Sequence, residues 1–121
     1  MDDAARLAPD LATLEALAYA ARDALPAPWN AMSQSIVLRV EEVATGEMLA
    51  DLGMDDPFEL TGLYDGIPMT QKSVMDQPEG PDTVWLFRRA ILDEWVDRGN
   101  VTLGELVTHI MVHELAHHFG W

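Results

Sequence analysis

The chain has 121 residues, no cysteine and a formal net charge of −14, from 21 acidic and 7 basic residues. This charge argues against nucleic acid and anionic membranes as partners, because both would be repelled. Without cysteine there are no disulfides or thiolate metal sites, so a transition metal would need histidine and carboxylate ligands. No apolar run reaches the roughly 18 residues of a membrane span, and the acidic N-terminus lacks signal-peptide features. We therefore expect a cytoplasmic protein with a single domain over residues 1–121.

The N-terminal half is predicted to contain one helix, one strand and one loop. Residues 10–25 carry apolar side chains at three- and four-residue spacing and end at a Pro-Ala-Pro stretch, which predicts an amphipathic helix. Residues 35–44 alternate between apolar and polar positions, which predicts a strand. Residues 47–60 are acidic and contain glycine and proline, so we expect a loop with room for one short helical turn.

The middle of the chain is predicted to supply the rest of a sheet. A short strand at residues 62–64 leads into a turn at Asp65 and Gly66, and residues 67–70 are expected to pair back as a further strand. Residues 73–81 contain prolines and a glycine and are predicted to form a loop. The continuous apolar run in residues 82–87 predicts a strand in a covered position of the sheet.

Two helices are predicted to close the chain. The first covers residues 88–98, with Ile91, Leu92, Trp95 and Val96 facing inward, and stops at the Gly-Asn pair that follows. The second follows after a tight connection. An order of helix, strands, helix and helix predicts an α+β domain with helices packed on one face of a small mixed sheet.

The last helix carries the chemical motif of the chain. Thr102 opens a T-x-x-E capping box and Gly120 suits a helix stop, which predicts a helix of about 17 residues between them. His113, Glu114 and His117 form the pattern H-E-x-x-H inside it. Two histidines four residues apart lie one turn above each other and can bind one zinc ion. The glutamate can then take a proton from a zinc-bound water, which is the chemistry of a zinc peptidase.

Apolar residues cover nearly the whole circumference of this helix, so we expect it to be buried. Burying two histidines and a glutamate on it would be unfavourable unless a metal compensates. The competing interpretation is a core helix whose histidines are hydrogen-bonded, and it must also explain the buried Glu114.

Three segments resemble the small bacterial zincin-like metallopeptidases: GLYDGIPMTQKS, VWLFRRAIL and ELVTHIMVHELAHHFG. The resemblance implies a minimal zincin fold, in which a short twisted sheet lies beside a buried motif helix and its edge can align a peptide. It also implies that His113 and His117 are the zinc ligands and that Glu114 is the general base. Tyr64, in the first segment, is a candidate oxyanion donor or substrate contact.

The third zinc ligand is not identified by these residues. The longer family pattern H-E-x-x-H-x-x-G implies an acidic ligand about three residues past Gly120, so we expect it beyond Trp121. Upstream carboxylates such as Asp65 or Glu94 are alternatives, and nothing in the local sequence selects one of them.

The other two histidines of the helix are poor third ligands. His118 points about 100° away from His117 on a helix. His109 and His117 are separated by about 12 Å at 1.5 Å per residue, too far for one ion with bonds near 2 Å. We therefore predict that His109 contacts the zinc ligands without binding the metal itself, or lies in the core.

Two functions follow from the motif. The first is a zinc-dependent metallopeptidase that hydrolyses a peptide or protein substrate. The alternative is a catalytically inactive zincin-like module that binds metal, a peptide or a protein partner without cleaving it. The incomplete ligand set and the small size, which leaves little wall for a deep cleft, favour the second. A purely structural zinc site is disfavoured because such sites are usually closed and rich in cysteine.

Overall fold

The computed structural model describes residues 8–66 and 82–121 of the chain. Within these ranges the chain forms five α-helices, three β-strands and one 3-10 helix. The helices are α1 (Leu11–Asp23), α2 (Trp29–Met32), α3 (Gly46–Asp51), α4 (Arg88–Arg98) and α5 (Leu103–Phe119), the strands are β1 (Val37–Glu41), β2 (Gly62–Asp65) and β3 (Thr83–Phe87), and the 3-10 helix is Pro57–Glu59. Over the same ranges, no helix has both the length and the apolar character needed to cross a membrane.

The three strands form one mixed sheet in the order β1-β3-β2. The central strand β3 runs parallel to β1 and antiparallel to β2. Its continuous apolar sequence follows from this central position, because neighbouring strands and packed layers leave almost no residue exposed. The predicted small mixed sheet of an α+β domain is confirmed. The strand predicted at residues 67–70 and the loop predicted at 73–81 lie outside the described residues.

One face of the sheet packs against α1 and α5 and forms the main core. The helix α1 begins where Asp10 caps it, since the carboxylate of Asp10 accepts the N–H of Thr13 at 2.8 Å. The alternation predicted for the first strand is confirmed, because Ile36 and Leu38 are buried and Val37 is exposed. The buried residues of this core are Leu14, Ala18, Ala21, Ile36, Leu38, Val84, Leu86, Ile91, Leu103, Leu106, Val107, Ile110, Met111, Leu115 and Phe119.

The opposite face of the sheet is covered by the segment for which a loop was expected. Residues 47–60 lie mostly in α3, whose first turn is capped by the Thr45 hydroxyl, and in the 3-10 helix. Leu49 and Leu60 pack with Phe87 of β3 in a second, smaller core cluster. The short helical turn allowed for this segment is present, but the segment contains two helical pieces; a six-residue helix makes fewer than two turns, too few for helical spacing to be visible in the sequence.

The helix α4 has the predicted bounds and leads directly into the last connection. It ends at Gly99, whose φ of 73° is a left-handed conformation that glycine adopts easily. The indole N–H of Trp95 donates to the carbonyl of Val101 at 2.9 Å and fastens the link to α5. Ile91 is fully buried as predicted, but Val96 is 77% exposed, so its inward assignment was wrong. Ile91 and Trp95 are four residues apart and share one face of the helix, whereas Val96 follows Trp95 and is turned by 100° away from that face.

Candidate active site

The motif helix α5 begins and ends where its sequence predicts. The Thr102 hydroxyl accepts the N–H of Glu105 at 3.0 Å, which satisfies one donor of the first turn. At the other end Gly120 has a φ of 76°, and its N–H donates to the carbonyl of Ala116 at 2.9 Å. These two caps and the nine buried side chains between them determine the position of the helix. They therefore also determine the orientation of every motif residue.

One row of α5 faces solvent and carries three histidines. His109, His113 and His117 follow one another at four-residue spacing, and all three are exposed. The rings of His113 and His117 are neighbours, with centroids 5.3 Å apart and planes at 88°. The expectation of burial all round was wrong for this side of the helix, because beside the three exposed histidines Val112 is 38% exposed and Ala116 is only half-buried. The two motif imidazoles therefore stand side by side on a solvent-exposed side of the helix.

Glu114 differs from the histidines because it points to the protein interior. Its residue is 8% exposed, and its Oε2 atom lies 4.0 Å from Nε2 of His113. Burial raises the pKa of the Glu114 carboxyl above its ordinary value. The neighbouring His113 and His117, together with the backbone N–H of Tyr64, act in the opposite direction and favour the carboxylate. The site thus contains a desolvated carboxyl group directly beside two solvent-facing imidazoles.

The strand β2 supplies the wall against which Glu114 packs. A Cβ atom on Gly62 would lie 2.9 Å from Cγ2 of Ile110 and 3.3 Å from Cγ of Glu114. Only glycine therefore allows the strand to come this close to α5, and the approach brings the Tyr64 N–H to the Glu114 carboxylate. Gly62 was not among the residues predicted to matter, although a glycine inside a predicted strand is a recognised sign of close backbone approach.

The side chain of Tyr64 belongs to a buried polar network at the end of α5. Nδ1 of His118 lies 2.9 Å from the Tyr64 hydroxyl and 3.1 Å from Oδ2 of Asp82. Burial, and next the negative charge of Asp82, raise the pKa of the Tyr64 hydroxyl above its ordinary value. His118 is buried while His117 is exposed, as the 100° step between them requires. Nothing in the sequence indicated Asp82, and the role of Tyr64 as an oxyanion donor stays a prediction.

A cavity of about 190 Å³ opens beside the motif. His109 lies at this cavity and is exposed, so the alternative that placed it in the core was wrong. Of the two upstream carboxylates considered as ligands, Glu94 lies at the cavity, where it pairs with Arg98, and Asp65 is exposed at the end of β2. The lining residues are Thr61, Glu94, Arg98, His109, Ile110, His113 and Glu114.

The motif residues fit part of a zinc site. Two imidazoles on an open helix face offer the nitrogen ligands that zinc prefers and leave coordination positions free, whereas a catalytic site usually has three protein ligands. Across residues 8–66 and 82–121, no three His, Asp or Glu side chains converge closely enough to hold a metal ion. That the third ligand lies beyond Trp121 stays a prediction.

Comparison with known proteins identifies the family. Among curated proteins, none matches the chain. The profile described as zincin-like metallopeptidase matches residues 33–121, a range that contains the whole described sheet, α4 and the motif helix. This match spans well over half of the chain and agrees with the resemblance carried by its three sequence segments. The chain therefore belongs to the zincin-like metallopeptidase family.

Proposed function

We propose that this protein is a zinc-dependent metallopeptidase in which His113 and His117 hold the metal and Glu114 is the general base. The observation that carries the proposal is the contrast on one helix between exposed imidazoles and a buried carboxyl. A metal needs access from solvent, and a general base works best with a pKa raised toward neutrality. Membership of the zincin-like family supports the same assignment.

The chemistry assigns a separate task to each residue. When bound, zinc supplies a Lewis acid that polarises a peptide carbonyl and lowers the pKa of a water molecule toward about 7. The Glu114 carboxylate accepts the proton of the attacking water and later donates it to the leaving amine. Its burial excludes bulk water from the proton-carrying oxygens, and the Tyr64 N–H holds the carboxylate in one orientation. Among the described strands β2 lies at an edge of the sheet, and we propose that this edge aligns an extended peptide.

The decisive variant is Glu114→Gln, which keeps the size of the side chain and removes the base. We expect peptide hydrolysis to fall by about 10²–10⁴-fold, the usual contribution of general-base catalysis. Zinc content per chain should stay unchanged, because the two imidazoles remain. Glu105→Gln, the same chemical change at an exposed position of α5, is the matched control and should keep both properties. Full hydrolysis by Glu114→Gln, or loss of its zinc, would contradict the assignment.

A second candidate function is a binding module without hydrolysis, which the two-imidazole ligand set favours. Such a module would bind metal, a peptide or a protein partner through the same face. It predicts that Glu114→Gln leaves partner binding unchanged and that the wild-type protein, fully loaded with zinc, cleaves no member of a peptide library. His113→Ala and His117→Ala separate the two metal contributions, since each should lower zinc content whether or not the protein is an enzyme.

A further inference from the structure

The cavity beside Glu114 and His113 has the size of one amino-acid side chain. Its volume of about 190 Å³ is below the roughly 300–1,000 Å³ of pockets that take drug-sized ligands. Ile110 gives it an apolar wall, and Glu114, a polar residue only 8% exposed, lines it from the interior side. A peptide bond presented to Glu114 would therefore have a neighbouring side chain within reach of this cavity.

An ion pair between Glu94 and Arg98 of α4 lies at the rim of the cavity. Nε of Arg98 lies 2.9 Å from Oε2 of Glu94, and the two side chains are 47% and 36% exposed. A part-exposed pair four residues apart on a helix contributes little to stability, so a cation from a ligand can take the place of Arg98. The long aliphatic stem of Arg98 lets its guanidinium move into solvent, while the shorter Glu94 stays at the rim.

The overall charge of the chain favours a cation over an anion as the ligand of this cavity. The helix α4 carries three acidic and three basic residues and so adds no net charge of its own. The whole chain carries a net charge of −14. A field of this sign raises the local concentration of basic peptides and repels acidic ones. An apolar wall combined with a carboxylate at the rim matches a side chain with a long aliphatic stem and a positive end.

We propose that this cavity binds the side chain of a lysine or arginine next to the scissile bond of a peptide substrate, and that Glu94 selects its charge. The position next to the bond rests on the proposed peptidase function. The preference for positive charge concerns binding alone and can be measured without turnover.

The experiment uses peptides that differ only in carrying lysine, glutamine or glutamate at each position flanking one common bond. Binding is measured by fluorescence anisotropy on zinc-loaded Glu114→Gln protein, and cleavage on zinc-loaded wild type. At one position, lysine should bind roughly fivefold more tightly than glutamine, as a strong exposed ion pair would give, and glutamate should bind least. Adding Glu94→Gln should abolish this preference, and Arg98→Gln should increase it. Asp97→Asn, the control that removes the same charge outside the cavity lining, should keep it.

The two measurements separate the two proposals. Selective binding of lysine peptides without cleavage by wild type would remove the peptidase function and keep the charge-selecting cavity. Cleavage with no charge preference at any position, or a preference that survives Glu94→Gln, would overturn the cavity proposal and keep the peptidase. Thermal unfolding of each variant is the check on folding, and α4 tolerates these changes at exposed side chains.

Discussion

Gly62→Ala tests whether the approach of β2 to α5 builds the environment of Glu114. The added Cβ would lie 2.9 Å from Cγ2 of Ile110, and 3.3 Å from both Cγ of Glu114 and the carbonyl oxygen of Trp85. The first distance is shorter than atoms tolerate, and the carbonyl belongs to the backbone of the central strand, which cannot move alone. Overpacking of this kind lowers the free energy of unfolding by about 1–3 kcal/mol. The strand must shift outward, which weakens the hydrogen bond from the Tyr64 N–H to the Glu114 carboxylate.

Gly46→Ala is the matched control, because it makes the same chemical change where the structure has space. Gly46 is the first residue of α3, its φ is not positive, and nothing lies within 4 Å of the added Cβ. Such a substitution raises the free energy of unfolding by about 0.4–1 kcal/mol. Urea unfolding of both variants should therefore separate them by roughly 1.5–4 kcal/mol.

Activity and metal content give the second comparison. Because His113 and His117 are exposed on another side of α5, zinc content of Gly62→Ala should match that of wild type, while the turnover number falls and KM changes little. Equal stability of the two glycine variants would show that β2 does not constrain α5. Normal turnover in a destabilised Gly62→Ala protein would show that the strand supports the fold and does not position Glu114.

Three further predictions follow from individual contacts. Thr102→Ala removes the cap of α5 and should lower the free energy of unfolding by about 1 kcal/mol in urea titrations; no change would mean that packing alone sets the helix start. Tyr64→Phe removes the hydroxyl that interacts with His118 and Asp82 and should lower the free energy of unfolding by about 1–3 kcal/mol. An unchanged melting temperature would show that this network does not contribute to stability. In metal-free protein, Glu114→Gln should be more stable than wild type at pH 7, because folding raises the pKa of the buried carboxyl and wild-type stability falls as pH rises through that folded value. The difference should shrink below about pH 4.5, the ordinary carboxyl pKa, and a constant difference across pH would contradict the shift.

The parts of the fold that the sequence predicts well are those with strong local signals. The helix α5 has a threonine cap, a long run and a glycine stop, and its bounds match. The central strand has an unbroken apolar run, and its covered position matches as well. In both cases a local chemical feature determines local geometry, so no knowledge of the partners across the fold is needed.

Exposure and long-range contacts could not be predicted in this way. Val112 is apolar, yet it is 38% exposed beside the row of histidines on α5. The contact between Tyr64 and His118 joins residues 54 positions apart, and it depends on how β2 meets the end of α5. Glu94 reaches the cavity only because α4 and α5 lie side by side. Each of these depends on tertiary packing, which neither spacing nor composition encodes.

The order of residues in H-E-x-x-H has a geometrical reason in this fold. Residues four apart share one row of a helix, and the residue after the first histidine is turned by 100° from that row. In α5 this turn directs Glu114 toward β2, where Gly62 lets the strand close over it, while His113 and His117 stay in water. The same helix without the strand would keep its pair of imidazoles, but its carboxyl would be solvated and would lose the raised pKa. The pair of exposed imidazoles is thus a property of the helix, and the buried carboxyl that we propose as the general base is a property of the helix and the strand together.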